Sequence, residues 1–272
     1  MMTSVNAAPS GSSGQRGRHL PPLVVGLAII LLWATASTLE LLDPSRWPSP
    51  EAMGVAFVGA AIDPTVWAAV LATTSTWLIA LLITTVLGTV LGLLVGNSPV
   101  AYQLVIVPVE FLRPIPAVAI LPLLLLILGP TQAIIIWLAV FASFWPMFIQ
   151  TVYGVRETDP VLRDTAKSFG LTRLEILARV VLPSALPSVA TGLRLAASLS
   201  LVLTVTVELI VGIDGIGKSI FLAQNGGQIA KMYVLIAIAG LLGVLIAIGF
   251  RRLEKGLLHW HQSQRLLVQE GQ

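Results

Sequence analysis

The stretch Gly212-Ile-Asp-Gly-Ile-Gly217-Lys218-Ser219 fits a phosphate-binding pattern: a glycine, four residues, then Gly-Lys-Ser. In such a loop the backbone N–H groups cradle phosphate oxygens, the lysine reaches the outer phosphates and the hydroxyl serves Mg²⁺. The same chemistry needs a strand before the loop, a helix after it, and a soluble sheet carrying a metal-binding acid. Here the pattern occupies a short link between two apolar runs, Ser184–Ile210 and Met232–Phe250, so there is no room for that scaffold. The pattern is therefore refused as a nucleotide site.

Other reactive groups are few. The chain has no cysteine, which excludes disulfides, thiolate metal sites and cysteine nucleophiles. Its three histidines, His19, His259 and His261, lie in polar flanks, and the last two point apart on a helix. No catalytic residue and no metal site is assigned.

The ionisable residues within apolar runs are more informative, because charge at membrane depth is buried in a bundle or lines a path. Glu110 and Arg113 stand at i,i+3, the spacing of neighbours on one helix face, among Pro108, Pro114, Pro116 and Pro122. An internal ion pair that fixes packing is preferred here to solute contact. Further on, Arg194, Ser198 and Glu208 fall within about 80° of one another at 100° per residue. Arg194 and Glu208 stand about 21 Å apart along the axis, which sketches a polar stripe. Arg194 also has the option of snorkelling to the interface. These five residues are the candidates for the translocation path or for bundle contacts.

Between Arg156 and Arg179 lies a charged island with five Lys or Arg (156, 163, 167, 173, 179) and four acids (157, 159, 164, 175). Pro160 can open a helix there and Gly170 can close it. Leu171 then opens a second run, with apolar residues at Leu174, Leu177 and Val181. The island reads as a helical knuckle between two membrane segments.

Within it, Asp164-Thr165-Ala166, Gly170 four positions on, Val180 and Leu182-Pro183 resemble the E-A-A, G, I-x-L-P signature of binding-protein-dependent ABC importer permeases. Asp164 stands where that family has Glu, and Thr165 where it has Ala. Phe111 to Leu123 looks like the third-span segment of the nitrate, sulfonate and taurine permeases, and Glu208 to Gly217 like the end of the family's fifth span. The likeness covers about residues 65–250. It implies that the loop 156–183 carries a coupling helix that docks on a separate ATPase. The docking residues it implies are Arg163, Asp164, Thr165, Ala166, Lys167, Phe169, Gly170, Leu182 and Pro183. Also implied are a second permease copy, two ATPase subunits that bind ATP and Mg²⁺, and an extracytoplasmic binding protein for a small anion such as a sulfonate, taurine or nitrate. The chain itself would then hold no cofactor and hydrolyse nothing.

The elements that must position these residues are membrane helices. Of 272 residues, 56% are hydrophobic and 11% charged, and the mean hydropathy is +0.91, well outside soluble composition. The net charge is only +3, and the basic residues flank apolar runs, so topology and not nucleic acid accounts for them. Six spans are expected: Leu20–Leu39, Val66–Val95, Ala101–Leu128, Thr131–Val152, Ser184–Ile210 and Met232–Phe250. A short interfacial helix is expected around Glu51–Val58. A signal peptide ending at Ala34-Thr35-Ala36 competes for the first span, but its removal would leave an odd helix count.

Eleven of the sixteen Lys and Arg fall on one side, in the N-terminal tail, the knuckle and the segment after Phe250, which places both termini in the cytoplasm. The expected organisation is a disordered tail at 1–19, a six-span permease domain at 20–252 and an amphipathic cytoplasmic tail at 253–272. The class is all-α, a multi-pass protein of the plasma membrane. Its rival is an ion-coupled secondary transporter, which would have to use Glu110 and Glu208 as its intramembrane acids.

Overall fold

A computed structural model describes residues 22–43 and 46–257. The expected tail at 1–19 and residues 258–272 of the tail expected at 253–272, with all three histidines, lie outside the described residues, while 253–257 continue α11. The chain divides into two compact units, Met1–Glu51 and Ala52–Gln272. In the first, α1 spans Pro22–Thr38. Its 17 described residues fall short of the roughly 20 that cross a bilayer.

The second unit is all-helical among the described residues. Four of its helices are long and apolar enough to cross a membrane, and a bent pair makes a fifth candidate. α2 (Pro50–Ile62) runs four residues beyond the expected Val58. Asp63 then caps α3 (Pro64–Asn97), its carboxylate accepting the Thr65 N–H at 2.9 Å. Proline just after the cap suits the chain, since an N–H there would have no helical partner. The 34 residues of α3 extend about 51 Å, well beyond a hydrocarbon core of about 30 Å.

The expected third span is not one helix. α4 (Pro99–Leu112) stops at Arg113, a 3₁₀ turn follows at Ala117–Ile120, and α5 covers Leu121–Leu128. The two arms meet at 81°. Pro114 and Pro116 supply the reason, because neither has an N–H to donate and each disfavours helix in the residue before it.

α6 (Gln132–Arg156) is the centre of the unit and packs along both α3 and α9 (Leu182–Val211). Small residues bring it close. A Cβ on Gly88 would lie 2.6 Å from Met147 Cγ, one on Gly92 2.6 Å from Thr151 Cβ, and one on Gly96 2.8 Å from Val155 Cβ. Such stripes let helix backbones approach where lipid offers no hydrophobic drive for association. Polar side chains also join these helices: Thr84 and Ser143 share a bond of 2.8 Å between α3 and α6, and Trp77 Nε1 of α3 donates to the Ala197 carbonyl of α9 at 2.9 Å.

After α6 come α7 (Pro160–Ser168), α8 (Arg173–Ile176), α9 (Leu182–Val211), α10 (Ile216–Asn225) and α11 (Ile229–Leu257). α11 runs through Arg251 and Arg252 without a break.

Candidate functional site

The knuckle begins where α6 ends. The Arg156 guanidinium carbon sits 3.8 Å above the Tyr102 ring and ties α6 to α4. Asp159 caps α7 by accepting the Val161 N–H at 2.8 Å. The helix closes at Gly170, whose φ of +79° is left-handed, the conformation in which glycine escapes the Cβ penalty. Leu171 N then donates to the Ala166 carbonyl at 3.1 Å and Gly170 N to Lys167 at 2.9 Å, so two terminal carbonyls are satisfied.

Thr172 and Glu175 form a reciprocal capping box that starts α8. The second arm of the knuckle does not stay separate, as the sequence pattern suggested. α8 passes through a π turn at Leu177–Val181 into α9, giving one continuous helix from Arg173 to Val211. Pro183 has no N–H for the Arg179 carbonyl, and the helix widens just before it, with Leu182 N donating to Leu177 O.

The nine predicted coupling residues do not share one surface. Asp164, Thr165, Lys167, Phe169, Gly170 and Pro183 are exposed, and Leu182 is half-buried. Lys167 Nζ pairs with Asp164 at 2.9 Å on the outer face. Phe169 is 79% exposed, with Leu174, Val161 and Leu162 exposed nearby in sequence. Ala166, by contrast, is buried against Val155, Ile176, Val181 and Ala185.

Arg163 also points inward. One guanidinium nitrogen donates to Asn97 Oδ1 at 3.1 Å, at the end of α3, and the other to the Val155 carbonyl in the last turn of α6. Partial burial lowers its pKa from the ordinary value, and an arginine stays charged regardless.

The second polar region lies at the far end of α9. Gly212, with φ +76°, ends the helix. Glu208, fully buried, accepts the Thr73 hydroxyl at 2.8 Å and the Gly217 N–H at 3.1 Å through Oε2, while Thr73 Oγ1 accepts the Ile216 N–H at 2.9 Å. Among the described residues Oε1 has no hydrogen-bond partner. Of the first amides of α10, which in a phosphate loop would hold an anion, Gly217 N–H holds this carboxylate directly and Ile216 N–H reaches it through the Thr73 hydroxyl. Lys218, the would-be phosphate lysine, pairs with Asp214 at 2.6 Å. A Cβ on Gly215 would collide with the Glu208 carboxylate, and one on Gly217 would lie 2.6 Å from Leu209 N. Thr73 carried no sequence signal, because it stands 135 positions from Glu208.

The remaining path candidates are dispersed. Glu110 and Arg113 are both exposed and form no ion pair among the described residues, although Arg113 caps α4 with helical φ and ψ of −57° and −41° and so keeps the i,i+3 spacing. Arg194 bonds Glu254 of α11 at 3.0 Å. Ser198 is exposed and its hydroxyl donates to the Arg194 carbonyl at 3.2 Å. The stripe expected from helical spacing is therefore split between two neighbours, α11 at one end of α9 and α3 with α10 at the other.

A helical unit with four long apolar helices, a bent pair and a charged knuckle invites comparison with transport proteins. The family model for the binding-protein-dependent transport system inner membrane component matches residues 86–259. The chain belongs to that family. It is a multi-pass inner-membrane permease of the ABC transporter class. It is 30% identical over 252 residues to the taurine transport system permease protein TauC of Escherichia coli, covering 88% of this chain and 90% of that protein. It is also 30% identical over 248 residues to the putative aliphatic sulfonates transport permease protein SsuC of the same organism, covering 91% and 94%. An inward-facing structure of the MetNI methionine ABC transporter shares the fold, with a TM-score of 0.62 at 20% identity over 72% of this chain and 98% of that one.

Proposed function

We propose that this permease forms, with a second copy of itself, the translocation path of an ATP-driven importer for a small anion of the sulfonate class. An extracytoplasmic binding protein would deliver the anion, and two separate ATPase subunits, which bind ATP and Mg²⁺, would dock on α7. Both termini and the knuckle lie in the cytoplasm in this reading, and α1 completes a set of six spans. Two full-length relatives named for taurine and aliphatic sulfonates support the solute class.

The observation that carries the docking role is Phe169. A phenylalanine 79% exposed at the end of a helix that also exposes Val161 and Leu162 among Asp164, Lys167 and Ser168 gives this arm a mixed apolar and charged outer face, the composition of a protein contact. It stands on the motif that the family resemblance singles out.

In proteoliposomes holding the permease with its cognate ATPase and binding protein, taurine uptake should require ATP inside and persist when ion gradients are collapsed. Uptake that follows the ion gradient and ignores ATP would favour a secondary transporter. Gly170→Val should reduce co-purification of the ATPase while the permease still inserts, and undiminished co-purification would count against docking at α7.

A further inference from the structure

We infer that Arg163 is a transmission residue: it straps α7 to the ends of α3 and α6 and passes displacement into them, while ATPase docking falls to the outward residues around Phe169. This rests on the importer reading above and divides the coupling residues into two groups with different tasks.

The geometry on α7 is two-faced. Arg163 and Ala166, at i,i+3, lie on one side of the helix, where Ala166 is buried against the root of α9. Asp164 and Lys167 pair on the exposed side and leave no inward charge except Arg163.

Arg163 also meets a corner that is already tightly packed. Its two acceptors belong to different helices, Asn97 Oδ1 on α3 and the Val155 carbonyl on α6. Gly96, beside Asn97, is packed so closely on Val155 that an added Cβ would lie 2.8 Å from Val155 Cβ. Moving one helix end therefore moves the other, and the planar guanidinium fork grips both at once. A lysine offers one flexible ammonium and does not reproduce that fixed two-point geometry. The Val155 carbonyl lies in the last turn of α6, where the helix dipole favours a cation.

Displacement of α7 then has two outlets. Ala166 leans on the root of α9, and Arg163 pulls on the α3–α6 pair. Without the strap, α7 would still present Phe169 to a partner but would slide on α9 alone.

The test uses the complete complex of permease, ATPase and binding protein in proteoliposomes. Arg163→Ala should co-purify with the ATPase as the unaltered chain does. Taurine uptake and the binding-protein stimulation of ATP hydrolysis should each fall about tenfold, within the 5–150-fold span of coupling between sites. Arg163→Lys should recover only part of the loss. Asn97→Ala should give a smaller loss, and the double variant should be no worse than Arg163→Ala alone. That last result is one a general loss of stability would not give.

Phe169→Ser provides the contrast, with ATPase co-purification lost and the permease itself intact. If Arg163→Ala loses the ATPase as Phe169→Ser does, or transports normally, the transmission role is overturned. If the Asn97 and Arg163 effects simply multiply, the strap is also refuted. Failure of the importer reading would look different: the unaltered complex would then show no ATP-dependent uptake at all.

Discussion

The knuckle before α9 and the turn after it are built from like parts. Each has a glycine at positive φ, Gly170 at +79° and Gly212 at +76°, beside a short helix, α7 before the one and α10 after the other, with acids and bases close by. They spend those parts in opposite directions. At the knuckle, Asp164, Lys167 and Phe169 are exposed, and a Cβ on Gly170 would meet nothing within 4 Å. At the turn, Glu208 and the first amides of α10 consume one another in the interior, and Gly215 and Gly217 are crowded by the carboxylate and the backbone of α9. Glycine serves conformation in one place and space in the other. A segment that keeps its groups unspent is suited to a partner, and one that spends them internally is suited to holding three helices together.

That contrast can be broken or sharpened by substitution. Gly217→Ala should have the largest effect, because its Cβ would fall 2.6 Å from Leu209 N and 2.7 Å from Glu208 Cβ, and neither backbone nor buried stem yields easily. A loss of about 3 kcal/mol is expected, at the upper end for overpacking. It would be read as a drop in the thermal midpoint of the detergent-purified protein, and an unchanged midpoint would refute the crowding argument.

Glu208→Ala comes next. It leaves the Thr73 hydroxyl and the Gly217 N–H without their acceptor, at about 1–3 kcal/mol for a stranded buried group. Glu208→Gln keeps an acceptor oxygen and should lose less; equal losses would mean that acceptor capacity is not what matters. At the knuckle, Gly170→Val should cost about 1–2 kcal/mol, from left-handed backbone strain alone. A loss as large as that of Gly217→Ala would erase the distinction between the two glycines.

The smallest effect is expected at Asp63, which joins the start of α3 to Lys231 of α11 at 3.2 Å. The Thr65 hydroxyl and amide, then Lys231, hold its carboxyl below the ordinary 3.8. A depressed carboxyl stabilises the fold above its unfolded pKa, and that stabilisation is lost as pH falls through the lower folded value. Asp63→Asn, which still caps a helix, should therefore show its greatest midpoint difference from the parent chain at neutral pH. The difference should vanish in acid, and one that grew in acid would reverse the sign and refute the linkage.

Much of the helical frame was legible in the sequence. Expected spans at Val66–Val95 and Met232–Phe250 lie inside α3 and α11, and Thr131–Val152 lies inside α6 but for its capping residue Thr131, because long uncharged runs have few alternatives in lipid. Pro160 and Gly170 marked the bounds of α7 to within two residues, since both act through local backbone geometry. What stayed hidden depended on neighbours distant in sequence. The Glu110–Arg113 spacing survives in the backbone, but both side chains are exposed and not packed into a bundle, which spacing alone does not show. Helical projection aligned Arg194, Ser198 and Glu208, but whether a residue meets lipid, α11 or α3 depends on which helices pack where. Arg163 looked like one more charge of the knuckle, and only the meeting of the α3 and α6 ends reveals which way it turns.

The wide turn at Leu177–Val181 sets the azimuth of everything before it. One surplus residue in a helical turn rotates the preceding segment by about 100° relative to the rod beyond it. Removing a single residue there would leave α8 and α9 each helical and their apolar content unchanged. It would nevertheless swing Ile176 out of its nest beside Ala166 and present a different flank of the hairpin. The register of that one widened loop, more than the identity of any side chain in it, fixes the direction in which the tip is aimed.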